Sequence, residues 1–170
     1  IGTQDNNSLT GPSRTLNSSG ITNGDWVFTQ AGDGFQSLAD WSDPNTVYAQ
    51  AQNGALVRYD RTTGERLYLR GFEGEGEPAY RFDWDTPILV SRHDHTRLYQ
   101  GANKLLRSDN RGESWREVSP DLTRGVPKEL HKLMGRSWSA DELVNKSSFA
   151  HITTIAESPR DEKRLYVGSG

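Results

Sequence analysis

The stretch DPNTVYAQAQNGALVRYDRTTGERLYL, Asp43 to Leu69, returns as DHTRLYQGANKLLRSDNRGESWREV, Asp94 to Val118. A shortened copy, DEKRLYVGSG, runs from Asp161 to Gly170. Leu56–Asp60 aligns with Leu105–Asp109, 49 positions on, and Tyr48 aligns with Tyr99 and Tyr166. Each copy is a series of short runs rich in Val, Leu, Tyr and Thr, bounded by Gly, Asn, Asp, Pro or Ser. Such runs form strands joined by tight turns. The opening IGTQDNNSL resembles the second half of an earlier copy, with Gln4 and Asn6 echoing Gln52 and Asn53.

A period near 50 with about four short strands per copy marks a β-propeller blade. One blade is expected to use TPILVSR, TRLYQG, KLLRS and WREVS. The copy before it uses FQSLADW, TVYAQA, ALVRYD and RLYLRG. The fold class expected is all-β: a partial β-propeller of about two complete four-stranded blades plus two half blades, with a short helical insertion. Residues 1–30 are the second half of a blade and 31–71 a blade. Residues 72–84 are an acidic loop, and 85–120 a blade. Residues 121–150 are an insertion, partly helical, and 151–170 open a further blade. Within the insertion, PKELHKLMG and SADELVNKSS carry the helix signals: an early Pro, and Ser139 as a cap before Asp141 and Glu142.

Charge is nearly balanced, 20 Lys and Arg against 23 Asp and Glu, for a net of −3. That offers no electrostatic footprint for nucleic acid or an anionic membrane. No apolar run reaches the ~18 residues of a transmembrane helix. The absence of cysteine excludes disulfides and thiolate metal sites, and fits a bacterial source. The chain opens on IGTQDN and ends on RLYVGSG, which reads as an internal piece of a longer polypeptide. On that reading both ends present apolar contact edges for their neighbours.

The hairpin SDNRGESW, Ser108 to Trp115, raises the question of chemistry. Its residues are turn residues. Short side-chain oxygens at Ser108 and Asn110 suit turn amides. Gly112 suits a positive φ, and Trp115 offers a large face to cover the hairpin. The pattern resembles the Asp-box, or BNR repeat, of sialidases, xyloglucanase-type hydrolases and sortilin-like receptors. Ser108, Gly112, Ser114 and Trp115 match it, with Asn110 where Asp is usual. The equivalent YDRTTGER keeps only Gly64. GTQDN, GDGF and SDNRGESWREVSPDLTR together resemble the large bacterial BNR-propeller proteins related to sortilin ectodomains. The resemblance implies that the Asp-box is structural and peripheral. It also implies an extracytoplasmic place, periplasmic or secreted.

Other constellations are weaker. His93-Asp94-His95 falls where the other copies have turns, and two turn histidines do not make a four-ligand site. Glu73, Glu75, Glu77, Asp83 and Asp85 fit no defined calcium loop, although paired carboxylates can cleave glycosidic bonds. Asn6, Asn17 and Asn145 match the glycosylation pattern, which matters only in a eukaryotic secretory pathway. GTQDN and GDGF place Asp5, Asn6 and Asp33 in loops that can face a ligand, because loops on a rigid scaffold carry binding sites. No catalytic set, metal site or cofactor is expected.

Two functions from different classes follow. One is a non-catalytic module that binds protein or scaffolds a larger assembly. Its partners are the rest of a longer propeller chain or a complex, with a peptide or glycan ligand. The other is part of a glycoside hydrolase completed by further chain, with Trp26, Trp41, Trp84 and Trp138 as sugar platforms.

Overall fold

The computed structural model describes residues 1–126, 130, 132–139, 141–142 and 150–170. The protein is all-β, and its described strands form four antiparallel sheets. The chain divides into two compact units, Ile1–Arg70 and Gly71–Gly170.

In the first unit, β1 (Ser8–Thr10) pairs with β2 (Val27–Gln30). A four-stranded sheet follows: β3 (Ser37–Ala39), β4 (Thr46–Gln50), β5 (Leu56–Asp60) and β6 (Arg66–Tyr68), in that spatial order. Register runs Thr46↔Asp60 to Gln50↔Leu56 along the central pair. Every residue of β4 is buried. A half-buried strand alternates apolar and polar side chains, whereas one covered on both faces does not. Val47-Tyr48-Ala49 therefore reads as an unbroken apolar run. Ser8 Oγ donates to the Gln50 carbonyl at 3.2 Å, joining β1 to β4.

The second unit repeats the meander with β7 (Ile88–Val90), β8 (Leu98–Gly101), β9 (Leu105–Ser108) and β10 (Arg116–Glu117). A two-stranded sheet, β11 (Ile152–Glu157) with β12 (Leu165–Ser169), completes it. β12 pairs with β11 alone among the described residues. Tyr99, Leu105 and Ile152 form the shared core of these two sheets, flanked by Leu89, Ile155 and Val167. All eight strands expected of the two full copies are present, each trimmed by turns.

The turn between the first two strands of each copy recurs with the same bonds. The Asp40, Ser91 and Ser158 amides each donate 2.9 Å bonds, to the Thr46, Arg97 and Arg164 carbonyls. Asp43, Asp94 and Asp161 each accept a backbone amide two residues on, from Asn45, Thr96 and Lys163, at 3.2, 3.0 and 3.0 Å. This is the Asx turn, in which a short carboxylate replaces a backbone acceptor. His93 and His95 lie within the second of these turns and go to separate partners. His93 Nε2 is 2.8 Å from the Ser158 carbonyl, and His95 Nδ1 is 3.2 Å from Arg111 Nη2.

The hairpin between β9 and β10 is closed by side chains. Ser108 Oγ accepts the Gly112 amide at 2.8 Å and the Asn110 amide at 3.3 Å, and donates to Asn110 Oδ1 at 2.9 Å. Asn110 Oδ1 also accepts the Ser114 amide at 2.9 Å. Gly112 sits at φ +90°, a backbone setting that a side chain would strain. Trp115 is half-buried. One part packs on Phe82, Ala102 and Leu106. Trp115 precedes β10, the edge strand of its sheet, which pairs with β9 alone among the described residues.

Residues 72–84 form neither strand nor helix. Tyr80 ties this segment to β10 through a 2.8 Å bond from its hydroxyl to Glu117, which also takes Lys104 Nζ at 2.7 Å. Burial, then the Glu117 bond and charge, push the Tyr80 hydroxyl up to about 12. The helices expected in PKELHKLMG and SADELVNKSS fall largely outside the described residues, as does Asn145. Glu142 does accept the Ser139 amide and hydroxyl, at 2.9 and 3.1 Å.

Candidate functional site

In the first unit, the loop Gly2–Asn7 and the loop Gly32–Phe35 are knitted together. Asp33 is buried, and its Oδ1 accepts the Asp5 amide at 2.9 Å. Asn7 Oδ1 accepts the Gly32 amide at 3.1 Å, and the Gly34 amide reaches the Thr3 carbonyl at 3.0 Å. Gln52, in the turn between β4 and β5, holds the Asp33 amide at 3.1 Å. Gly34 is required by proximity, since a Cβ there would run into the Asn7 carbonyl. Of the three candidate residues, Asp5 and Asp33 therefore meet, while Asn6 bonds within its own loop. Asp33 is a positioning group whose carboxylate is spent on backbone. Asp5 and Asn6 are exposed, with Asp5 at φ +63°. Asp and Asn tolerate that region better than most residues, and a residue held there marks a loop whose shape is imposed by its surroundings. Asn6 Nδ2 bonds only the nearby Gln4 carbonyl, at 3.3 Å.

The second unit uses the same device. Asn103, in the turn between β8 and β9, accepts the Arg81 amide at 3.0 Å, as Gln52 accepts Asp33. Arg81 then reaches three ways: to the Ala150 carbonyl at 3.0 Å, Asp121 at 2.7 Å and Thr123 at 3.0 Å. Burial opposes ionisation of Asp121, but bonds from Thr123, Asn103 and Arg81 outweigh it and hold the carboxyl well below its usual range.

Next to this clamp lie Asp83, Asp85 and His151. His151 is buried at 8% exposure, and its Nδ1 stands 3.5 Å from Asp83 Oδ2 without forming a hydrogen bond. Burial, and then the Asp83 charge, raise the Asp85 carboxyl above its usual value. Exposed Trp84 lies between the two acids in the chain. Two carboxylates with environments that differ are the raw material of acid and base roles. Glu73, Glu75 and Glu77 do not join them in any ligand cluster: among the described residues no group of three His, Cys, Asp or Glu is arranged for a metal ion.

The Arg81 clamp and the His151–Asp83 pair were not legible in the sequence. Arg81 and Ala150 are 69 residues apart and lie in stretches that the repeat does not cover. The one available signal was the amide in each second turn, Gln52 and Asn103, which the repeat brings close to register.

The fold and these loops define an all-β protein built on a repeated antiparallel meander. Comparison with family models, curated proteins and solved structures finds no match for the chain. Among the described residues, no helix is long and apolar enough to cross a membrane.

Proposed function

We propose that this chain is a non-catalytic segment of a BNR/Asp-box β-propeller of the sortilin-like kind, a protein-binding or scaffold module of a larger polypeptide or complex. The carrying observation is the turn before β4, β8 and β12, which repeats the same backbone and Asp bonds in three copies. On this reading β3–β6 and β7–β10 are two blades, β1–β2 close an earlier one and β11–β12 open a later one. The resemblance supports an extracytoplasmic place in a bacterial cell. The ligand surface of the first unit is the Gly2–Asn7 loop, where the Asp5 carboxylate points outward on a backbone fixed by Asp33. It suits a basic polypeptide. Biolayer interferometry against basic and acidic peptides tests this: binding of basic peptides lost in Asp5→Lys supports it, and binding unchanged in that variant removes it.

A second reading, part of a glycoside hydrolase, is favoured by one observation: the raised Asp85 carboxyl beside Asp83. Turnover of aryl glycosides that disappears in Asp85→Asn would establish it in place of the first.

A further inference from the structure

The hairpin that closes the second sheet carries a cleft of about 170 Å³. It is lined by Arg107, Asp109, Asn110, Ser114, Trp115 and Arg116. Asp109 organises it. Arg107 grips both carboxylate oxygens, with contacts of 2.6, 2.9 and 3.0 Å. Arg97 adds a 3.0 Å bond and Arg116 one of 3.2 Å. Arg97 is answered elsewhere, by Glu162 at 3.3 Å and Asp94 at 3.8 Å. Among the lining residues, Arg107 and Arg116 face the single carboxylate of Asp109, so the lining itself carries one more positive than negative charge.

Its donors are not exhausted. Arg116 is more than half exposed and uses only Nη2 on Asp109. Ser114 and Asn110 supply a hydroxyl and an amide, already oriented toward one another at 2.9 Å. Trp115 lies in the lining with its other contacts in the core, which fixes the indole.

Three properties then select a ligand. The volume admits one ring rather than a drug-sized molecule, which needs roughly 300 Å³ or more. The guanidinium excess selects an anion, and a carboxylate best matches its fork. The indole beside a hydroxyl and an amide selects a ring with an apolar face and a hydrogen-bonding rim. We propose that this cleft binds a uronic-acid residue of an acidic polysaccharide, its carboxylate on Arg116. The site is separate from the loops assigned above and does not depend on that assignment.

Titration calorimetry of the 170-residue chain with trigalacturonate, its methyl ester and a tetraglutamate peptide tests the proposal. Trigalacturonate should bind, with the ester and the peptide at least about tenfold weaker. Arg116→Gln should reduce trigalacturonate binding by a similar factor, and Ser114→Ala should weaken it less. Arg61→Gln, on the first unit's hairpin, should change nothing. Melting curves matching the parent show that each variant is folded. Equal binding of acid and ester, equal binding of the peptide, or full binding by both cleft variants would overturn the proposal, as would no binding of trigalacturonate at all.

Discussion

Ser108 Oγ accepts the Gly112 amide at 2.8 Å across the tip of the β9–β10 hairpin, and both residues are buried. One hydroxyl therefore does the work of a backbone acceptor where the chain reverses. Ser108→Ala leaves a buried donor unsatisfied and should cost about 1–3 kcal/mol. Gly112→Ala, at φ +90°, should cost more than about 1 kcal/mol through strain. Urea midpoints of the two variants check both numbers, and a neutral Ser108→Ala would show that the hairpin holds without its hydroxyl.

Trp115 is half-buried, so its truncation should cost less than a core tryptophan. Fully buried Trp→Ala changes cost about 3–5 kcal/mol, and about half of that is expected here. A loss at the full value would mean that something further covers the β10 edge.

Asp109 carries a pH dependence. Burial disfavours its charge, but donors from Arg107, Arg97 and Arg116 prevail and bring the carboxyl down to about 2 from 3.8. A group depressed in the folded state stabilises above its unfolded pKa and stops doing so as pH falls through the folded one. Stability from Asp109 is therefore complete above about pH 4 and fades toward pH 2. Thermal melts between those values should fall more steeply for the parent than for Asp109→Asn.

Asp33 positions the Gly2–Asn7 loop through the Asp5 amide. Asp33→Ala should cost about 1–3 kcal/mol locally and should strip protection from the Asp5 amide in hydrogen exchange. An Asp5 amide that exchanges at the parent rate would show that the loop is held by Asn7 and Thr3 alone.

Asp85 works in the opposite sense to Asp109. Its carboxyl is raised, by burial first and then by Asp83. The folded state holds that proton more tightly than the unfolded chain, so stability falls as pH rises through the carboxylate range. Asp85→Asn should be neutral or mildly stabilising at pH 7, read as the melting temperature. A clear destabilisation would assign Asp85 a structural bond.

The strands and their turns were written into the sequence because their chemistry is local. Asp43, Asp94 and Asp161 stand at matching places before a strand and each bonds the amide two residues on, a local turn whose residues could be aligned without coordinates. Ser108, Asn110 and Gly112 likewise specify their own hairpin. The buried central strands announced themselves by Val47-Tyr48-Ala49 and Leu98-Tyr99, apolar on successive residues. What only the tertiary structure decided is which loops meet. The Asp5–Asp33 bond spans 28 residues, and Arg81 reaches Ala150 across 69. Such contacts leave no pattern in the chain, since any exposed Asp or Arg has the same composition as one that is docked. The partners that cover Trp115, namely Phe82, Ala102 and Leu106, were hidden for the same reason. A tryptophan's burial is set by what packs beside its strand, and β10 is an edge. The cleft beside it exists because sheet pairing places Arg107 opposite Arg116, a neighbour relation that forms only once the hairpin has folded.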